Sequence, residues 1–380
     1  MNIELTEEQR QVRTLCREFA ERELRPNARR WDEEHRFPNE AVAKMGELGL
    51  MGVSVSAEWG GAGMDAVSYA LAVEEISRGC AGTGVIMRAH NSLYCEPVLK
   101  HGTDEQKREF LAPFARGERL GCFALTEPTS GSDAAEMRTV AVAKGEQYVL
   151  NGSKNFITNC PQAGAVLVFA MTDREKGHRG ITAFLVPTDA KGLTRGRPDD
   201  KVGIRASGSC SVFFEECTVP KRFRLGQEGE GFKIAMGALD GGRIGIAAQA
   251  IGIARASYEE AVGYAKDRKA FGKPIASFQA IQFMVADMAT EIDAARLLTL
   301  RAATLKEAHV RFSAEAAMAK LFASEMAERV TSNGIQIHGG YGYTREFDAE
   351  RHWRDSRITE IYEGTSEIQR IVISSSLIGK

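Results

Sequence analysis

Long hydrophobic runs are missing from this 380-residue sequence, and no apolar stretch approaches the ~20 residues that a membrane-spanning helix needs. The stretch 246–253 is apolar but short, and Arg243 and Arg255 flank it. An excess of charge is missing too, because the net charge is only −2. We therefore expect neither a membrane nor a nucleic acid as a partner.

Paired cysteines are also missing. The seven cysteines occur singly, without a Cys-x-x-Cys motif, which argues against disulfides and zinc sites and predicts a reducing compartment. At the N-terminus, Thr6 followed by Glu7 and Glu8 predicts a capped helix and not a signal or transit segment. The expected location is the cytoplasm.

Several catalytic signatures are absent. Gly229-Glu-Gly231 lacks the third glycine of a Gly-x-Gly-x-x-Gly motif, so a nicotinamide-binding Rossmann unit is not expected. No Gly-x-Ser-x-Gly supports a serine hydrolase. Because no His-x-x-x-His and no carboxylate cluster stands out, no metal site is predicted.

The hydrophobic pattern divides the chain into three parts. Up to about residue 121, apolar residues recur at threes and fours, as helices require. Short runs bounded by turn residues then predict strands at 140–143, 148–150, 165–170, 182–186 and 211–214. Ala-rich amphipathic stretches predict helices over 245–266, 279–306 and 313–337. We expect an all-helical domain (1–121), a β domain (122–228) and a C-terminal helical domain (229–380).

The most informative segment is T-E-I-Y-E-G-T-S-E-I-Q-R at residues 359–370. Glu363 is a lone carboxylate next to Tyr362, and such a carboxylate among apolar neighbours is a candidate general base. Gly364 lets backbone amides approach a ligand closely, and Thr365 is a predicted N-cap. Taken alone, the segment could also be an ordinary loop that enters a helix.

Five other segments accompany it. F-A-L-T-E-P-T-S-G-S-D at 123–133 is a loop of hydroxyls and free amides that could wrap a polar ring, or be a solvated turn. N-G-S-K-N-F-I-T-N at 151–159 predicts a tight hairpin turn at its Asn-Gly. L-D-G-G-R at 239–243 is predicted to open a helix. The turn at 268–274 is basic and contains Gly272 and Pro274, and Q-I-H-G-G-Y-G at 336–342 contains three glycines.

Together these segments resemble the acyl-CoA dehydrogenase family over essentially the whole chain, and I-Y-E-G-T-S-E-I-Q at 361–369 resembles its short-chain (butyryl-CoA) branch almost letter for letter. The resemblance implies an α+β multidomain fold with an N-terminal helical domain, a β-barrel-like middle domain and a C-terminal four-helix bundle. It also implies FAD-dependent α,β-dehydrogenation of an acyl-CoA to the trans-2-enoyl-CoA. Glu363 would be the catalytic base, and electrons would pass to an electron-transferring flavoprotein.

The same resemblance assigns the binding residues. It implies cofactor binding by Phe123, Leu125, Thr126, Gly131, Ser132, Phe156, Thr158, Arg268, Phe271, Gln279, Gln336, Gly339, Gly340, Thr365 and Glu367. It implies substrate binding by Ser132, Asp240, Arg243, Tyr362 and Gly364. Arg268, Phe271 and Gln279 would hold the flavin of a neighbouring subunit, which implies a homo-oligomer, usually a tetramer built as a dimer of dimers.

Two positions depart from parts of the family. Phe156 stands where the family often has tryptophan, which keeps a stacking face but loses the indole donor. Gly242 stands where the isovaleryl and long-chain branches keep their glutamate, so Glu363 has no rival as the base.

Other functions remain open. A branched or cyclic acyl group would use the same mechanism, and an oxidase could use the same residues. A flavin-containing DNA-associated protein is disfavoured because the chain is not basic. A glutaryl substrate is disfavoured too. It would need a cation near its far carboxylate, and Arg88, the unusual charge in this region, does not fall where that branch places its arginine.

Overall fold

The structure is a computed structural model that describes residues 4–379. Its first helix begins at the predicted cap, where Thr6 Oγ1 accepts a hydrogen bond from the Gln9 amide (3.2 Å) and Gln9 Oε1 accepts from the Thr6 amide (3.0 Å). This reciprocal pair satisfies two amides that the helix itself leaves free. The helices of the first part are α1 (Glu7–Phe19), α2 (Arg25–Glu33), α3 (Asn39–Glu47), α4 (Ala66–Gly79), α5 (Ala81–Ala89), α6 (Glu96–His101), α7 (Asp104–Phe110) and α8 (Ala112–Ala115). Two π-helical segments, Ala20–Leu24 and His90–Cys95, join α1 to α2 and α5 to α6.

The middle part is one eight-stranded sheet. Its strands are β1 (Gly121–Ala124), β2 (Val140–Lys144), β3 (Gln147–Thr158), β4 (Ala165–Met171), β5 (Ile181–Pro187), β6 (Leu193–Pro198), β7 (Ser209–Pro220) and β8 (Arg224–Leu225). The order is β6-β7-β3-β2-β4-β5-β8, with β1 parallel to β4. All five predicted strands are confirmed, whereas β1, β6 and β8 were not predicted.

The hairpin predicted at Asn151-Gly152 is wrong, because both residues lie inside β3. The Asn151 side chain bonds across to Glu216 of β7, donating to Oε1 (2.7 Å) and accepting from its amide (2.8 Å). Gly152 lies at a register shift between β3 and β7, and a Cβ there would come within 2.5 Å of Thr139 Oγ1. The glycine therefore permits a bulge at which the strands lie close together. An Asn-Gly pair can form such a bulge as well as the hairpin turn that was predicted.

The last part is helical, as predicted. It contains α9 (Gly231–Asp267), the hairpin β9 (Lys269–Ala270) and β10 (Lys273–Pro274), α10 (Gln279–Glu307), α11 (Ser313–His338), α12 (Ala349–Arg357) and α13 (Ser366–Ile378). The prediction that 239–243 opens a helix is wrong, since these residues lie within α9. Gly241 and Gly242 weaken the local helix propensity, and burial within the fold overrides that weakness.

Helix α9 is the axis around which the two helical parts pack. A Cβ on Gly252 would collide with the backbone of α4, so this glycine lets the two helices approach closely. Arg255 of α9 pairs with Glu74 (2.6 Å) and Glu75 (2.9 Å) of α4 across this contact. The largest hydrophobic cluster includes buried residues of α1, α4, α9, α10 and α11, so the first and last parts share one core. In residues 4–379, every helix is too short or too polar to cross a lipid bilayer.

Candidate active site

The Glu363 segment is a strained turn between two helical segments. Glu363 itself has φ +53° and Gly364 has φ +93°, and a positive φ at a non-glycine residue usually marks a position that the surrounding fold enforces. Lys320 Nζ (2.8 Å) and Gln369 Nε2 (2.7 Å) both donate to the Gly364 carbonyl. Thr365 caps α13 as predicted, its Oγ1 accepting from the Ile368 amide at 3.4 Å.

The Glu363 carboxylate is buried, with 8% of its side chain exposed. Its Oε1 accepts from Nη1 of Arg88, whereas its Oε2 is buried with no hydrogen-bond partner. Oε2 lies against Gly242 of α9, where any Cβ would collide with it. Because buried carboxylate oxygens are normally hydrogen-bonded, an unpartnered one beside a missing side chain is a candidate for reaction with a ligand.

Arg88 of α5, which the sequence marked as an unusual charge but did not place beside Glu363, is 1% exposed and in contact with Glu363. Its Nε donates to Gln249 Oε1 (2.7 Å), and its guanidinium carbon lies 4.4 Å from the centre of the Tyr362 ring. Tyr362 Oη also donates to Gln249 Oε1. Burial alone would lower the pKa of Arg88, but Glu363 and Tyr362 offset it and the pKa lies above its ordinary value. Arg88 is therefore a cation throughout the working pH range.

The sequence did contain a signal for Arg88, since it is a single cation in the otherwise uncharged segment A-G-T-G-V-I-M-R-A at 81–89. Lys320 and Gln249, by contrast, lie in long helices where polar residues are common. Burial lowers the pKa of Lys320 to about 8, although Glu363 acts in the opposite direction. Sequence reasoning missed Lys320 and Gln249, and it named Arg88 without placing it beside Glu363.

Asp240 and Arg243 form an ion pair on α9, one turn apart. Asp240 Oδ2 also accepts from Ser313 Oγ of α11 at 2.5 Å. Arg243 is 5% exposed, its Nε has no hydrogen-bond partner, and burial lowers its pKa against the opposing effects of Asp240 and Glu363. The predicted pair therefore lies beside Glu363, with one donor free for a ligand.

The two predicted flavin segments are bound to each other. The Asn155 amide donates to the Thr126 carbonyl (2.8 Å), and buried Lys154 donates to the Leu125 carbonyl (3.1 Å) and to Glu127 (2.8 Å). Burial lowers the pKa of Lys154 to about 8, while Glu127 opposes that shift. This buried pair fixes the loop 123–133 against β3.

The surface of these segments is open to a ligand. Phe156 has φ +59° and is 66% exposed at a second register shift of β3. Gly131 and Ser132 are exposed on the neighbouring loop, and Thr158 is half-buried further along β3. Phe123 and Leu239 pack against the buried cluster of Ala89, Leu93 and Ala238, and Leu93 and Glu363 both lie against Gly242. The predicted flavin segments thus reach the site of the carboxylate.

A separate set lies at the far end of α9. Arg268 begins an exposed turn in which Phe271 has φ +51° and is 94% exposed, and Gln279 begins α10 on the surface. Arg268, Gly339 and Gly340 line one groove, and Gln336 is exposed nearby on α11. At 1.5 Å per residue, Arg268 lies roughly 39 Å along α9 from Gly242. The structure therefore does not bring this set together with Glu363 within one chain.

Comparison with known proteins gives the family. Residues 6–118, 122–217 and 229–378 match the models described as the N-terminal, middle and C-terminal domains of acyl-CoA dehydrogenase. The chain belongs to the acyl-CoA dehydrogenase family. The family prediction and the three-part fold prediction, a helical part followed by a sheet and a second helical part, are thereby confirmed.

Three similar proteins illustrate the match. The short-chain specific acyl-CoA dehydrogenase, mitochondrial, of Bos taurus is 56% identical over 377 residues, which are 99% of this chain and 92% of that protein. The butyryl-CoA dehydrogenase from Megasphaera elsdenii is 44% identical with a TM-score of 0.98, over all of both chains. A chain in a structure described as the electron transferring flavoprotein of Acidaminococcus fermentans is 49% identical with a TM-score of 0.99, again over all of both chains.

In this acyl-CoA dehydrogenase, one carboxylate cluster lies outside the site. Glu260, Asp348 and His352 bring ligand atoms within 4.8 Å of one another, which the sequence did not predict. Arg351 (2.7 Å) and Arg29 (2.9 Å) pair with Asp348. Burial alone would raise the pKa of Asp348, but Arg351 lowers it well below its usual range. These cations offset the negative charge, so we describe the cluster as an ion-pair network.

Proposed function

We propose that this protein dehydrogenates a short-chain acyl-CoA thioester to the trans-2-enoyl-CoA with FAD as cofactor, and that its electrons go to an electron-transferring flavoprotein. The observation that carries the proposal is the buried Glu363 carboxylate, whose Oε2 has no partner and lies against Gly242. Similarity to short-chain and butyryl-CoA dehydrogenases along the entire chain supports the substrate class.

Glu363 would act as the base. Its Oε2 removes the proton from Cα of the thioester, while the hydrogen on Cβ leaves with its electron pair and the Cα=Cβ double bond forms. The backbone amide of Glu363 would hold the thioester oxygen, where negative charge develops. The enforced turn at Glu363 and Gly364 supports this role, because it fixes the amide and the carboxylate relative to each other.

The loop 123–133 and β3 would hold the FAD. Phe156 offers an exposed aromatic face, and Thr126, Ser132 and Thr158 offer hydroxyls around it. A planar ring system packs well on such a face, so the residues present fit a flavin. When bound, FAD supplies the acceptor for the hydride. Phe123, Leu125, Gly131, Thr365 and Glu367 complete the proposed cofactor-binding set.

The substrate would enter along α9. Asp240 and Arg243 lie beside Glu363, and the unpartnered Nε of Arg243 is free to donate to a polar group of the thioester. Ser132, Tyr362 and Gly364 would also contact the substrate. These assignments follow the predicted roles and are supported by the proximity of Arg243 and Tyr362 to Glu363.

The distant set would serve a second subunit. The exposed residues Arg268, Phe271, Gln279, Gln336, Gly339 and Gly340 lie too far from Glu363 for one flavin to reach both places in one chain. A guanidinium matches a pyrophosphate because it can bond two oxygens at once. The proposed active unit is therefore a homo-oligomer, with a tetramer as the expected form.

Two further points belong to the proposal. We place the enzyme in the cytoplasm, and the seven free, buried cysteines fit a reducing compartment. We also retain the domain limits 1–121, 122–228 and 229–380. The shared core of the two helical parts suggests that the first and last of these fold together.

The test is flavin reduction by Glu363→Gln. The purified holoenzyme is mixed anaerobically with butyryl-CoA, and loss of the oxidised flavin absorbance is followed. We expect the variant to bind the acyl-CoA but not to reduce its flavin, because glutamine cannot accept the proton. Glu360→Gln, three residues earlier and paired with Arg357, is the matched control and should reduce normally. Normal reduction by Glu363→Gln would mean that another group is the base.

A further inference from the structure

The charge balance around Glu363 points to the kind of acyl group that the site accepts. Arg243 has Asp240 as an ion-pair partner, and Lys320 donates to the Gly364 carbonyl. Among residues 4–379, the one ion-pair partner of Arg88 is Glu363. Arg88 is 1% exposed, so water does not replace that partner.

The proposed reaction removes this partner. When Glu363 takes up the α-proton it becomes neutral, while Arg88 remains charged because an arginine does not lose its proton in this pH range. The hydride carries the balancing negative charge to FAD, so among residues 4–379 Arg88 would lack its one ion-pair partner, and a buried cation without a paired anion is costly. A hydrocarbon acyl chain such as butyryl supplies no anion to correct this.

A second donor beside Arg88, the side-chain amide of Gln249, already lacks an acceptor. Gln249 is fully buried, and its Oε1 accepts from both Arg88 Nε and Tyr362 Oη. These two donors fix the orientation of the amide, because the Gln249 nitrogen cannot accept from them. Its Nε2 is left buried without a hydrogen-bond partner. A guanidinium and an amide N–H group therefore occupy the same buried cluster, and both can donate to one acceptor.

The position of Arg88 fits a short acyl chain. Glu363 lies one hydrogen-bond length from Arg88 and would lie at about the same distance from Cα of the substrate, so Arg88 is within about 6 Å of Cα. The far carboxylate of a four- or five-carbon dicarboxylic acyl group lies at such a distance from Cα.

We propose that Arg88, with Gln249, is a specificity-determining residue that selects a short acyl-CoA whose far end carries a carboxylate. This inference rests on the proposed function and refines its substrate class. It reverses the expectation from the sequence, because the structure places Arg88 in contact with Glu363. The chemistry is unchanged: the Cα–H and Cβ–H bonds break, the proton goes to Glu363, the hydride goes to FAD, and the far carboxylate keeps its charge and pairs with Arg88 as Glu363 becomes neutral.

The experiment compares two five-carbon thioesters, glutaryl-CoA and pentanoyl-CoA, by anaerobic flavin reduction of the holoenzyme. We expect the wild type to prefer glutaryl-CoA by at least tenfold in kcat/KM. Arg88→Met, which removes the charge from a site within an apolar helix, should reverse that preference. Arg88→Lys should retain part of it, because the charge remains.

A binding measurement covers the case in which Arg88→Met does not fold. Glu363→Gln mimics the protonated base, so Arg88 lacks its anion in that variant. We expect Glu363→Gln to bind glutaryl-CoA at least tenfold more tightly than pentanoyl-CoA, as measured by the perturbation of the flavin spectrum. Equal binding of the two would overturn the inference.

The remaining outcomes separate the inference from the proposed function. If the wild type prefers pentanoyl-CoA, and Arg88→Met accelerates both substrates equally, Arg88 merely restrains Glu363 and the inference is wrong while the dehydrogenase function stands. If neither these thioesters nor butyryl-CoA reduces the wild-type flavin, the proposed function fails and the inference with it.

Discussion

At the scale of single residues, the position of the Glu363 carboxylate depends on Gly242 having no side chain. Gly242 leaves the space that Glu363 Oε2 occupies, and any Cβ at this position would collide with that oxygen. The backbone of Gly242 is helical, so alanine suits its conformation. Its substitution therefore tests the position of the carboxylate without straining the helix.

We predict that Gly242→Ala lowers the rate of flavin reduction by roughly 100-fold, as a displacement of about 1 Å at a reacting group can do. The control is Gly237→Ala on the same helix, where an added Cβ meets nothing within 4 Å. That control should keep its rate and gain about 0.5–1 kcal/mol of stability from the better helix former. Equal rates in both variants would show that Glu363 is not the group that reacts.

Sequence reasoning found the residues whose role is local and missed the contacts between residues that are distant in the sequence. Glu363, Gly364 and Thr365 stand together in one turn, and their chemistry follows from their order. Arg88 meets Glu363 across 275 residues of sequence, and Lys320 meets Gly364 across 44. No local pattern encodes which buried cation faces which carboxylate.

At the scale of elements, strands and helices were predictable where burial is regular. Strands β4 and β5 are apolar along nearly their whole length and were found almost to the residue. Strand β6 is largely exposed and contains glycine and proline, so it has no such pattern. The Asn-Gly pair in β3 was misassigned because the same residues serve a turn or a bulge, and only the partner strand decides between them.

His90 joins the helix of the candidate site to the sheet. Its Nδ1 accepts from the Gly121 amide of β1 at 3.0 Å, so its Nε2 carries the proton and donates to the Phe114 carbonyl at 3.0 Å. Burial lowers the pKa of His90 to about 4 from an ordinary 6.5. The folded protein therefore holds this histidine neutral at a pH where the unfolded chain is protonated.

We predict that this junction loses stability in acid. As the pH falls from about 6.5 to about 4, the unfolded chain takes up a proton that the folded one does not, so folding is weakened by about 1.4 kcal/mol per pH unit. His90→Gln can make both hydrogen bonds but does not titrate. The free energy of unfolding is measured with urea for both proteins. As the pH falls from about 6.5 to about 4, the stability difference between the wild type and His90→Gln should shrink, because only the wild type loses the contribution of His90. A difference that stays constant with pH would contradict the prediction.

At the scale of the whole molecule, one chain carries two separate surfaces that are proposed to bind the cofactor. The loop 123–133 and Phe156 lie near Glu363, and the Arg268 groove lies at the other end of α9. The sequence indicated both surfaces through the family resemblance. Composition and periodicity could not, because neither reveals which segments of a chain would bind the same copy of a cofactor.

We predict that Arg268→Ala loses flavin and thermal stability together. If a second subunit's Arg268 binds the pyrophosphate, each tenfold loss of flavin affinity removes about 1.4 kcal/mol of the stabilisation that bound cofactor gives. Lys269→Ala, one residue further along the same exposed turn, is the control and should keep both its flavin content and its melting temperature. Flavin content is measured by absorbance after gel filtration, and the melting temperature with and without added FAD. Excess FAD should restore much of the lost stability, since the defect lies in binding and not in folding. An Arg268→Ala protein that keeps its flavin would show that each subunit holds its cofactor alone, and the groove at the end of α9 would then need another ligand.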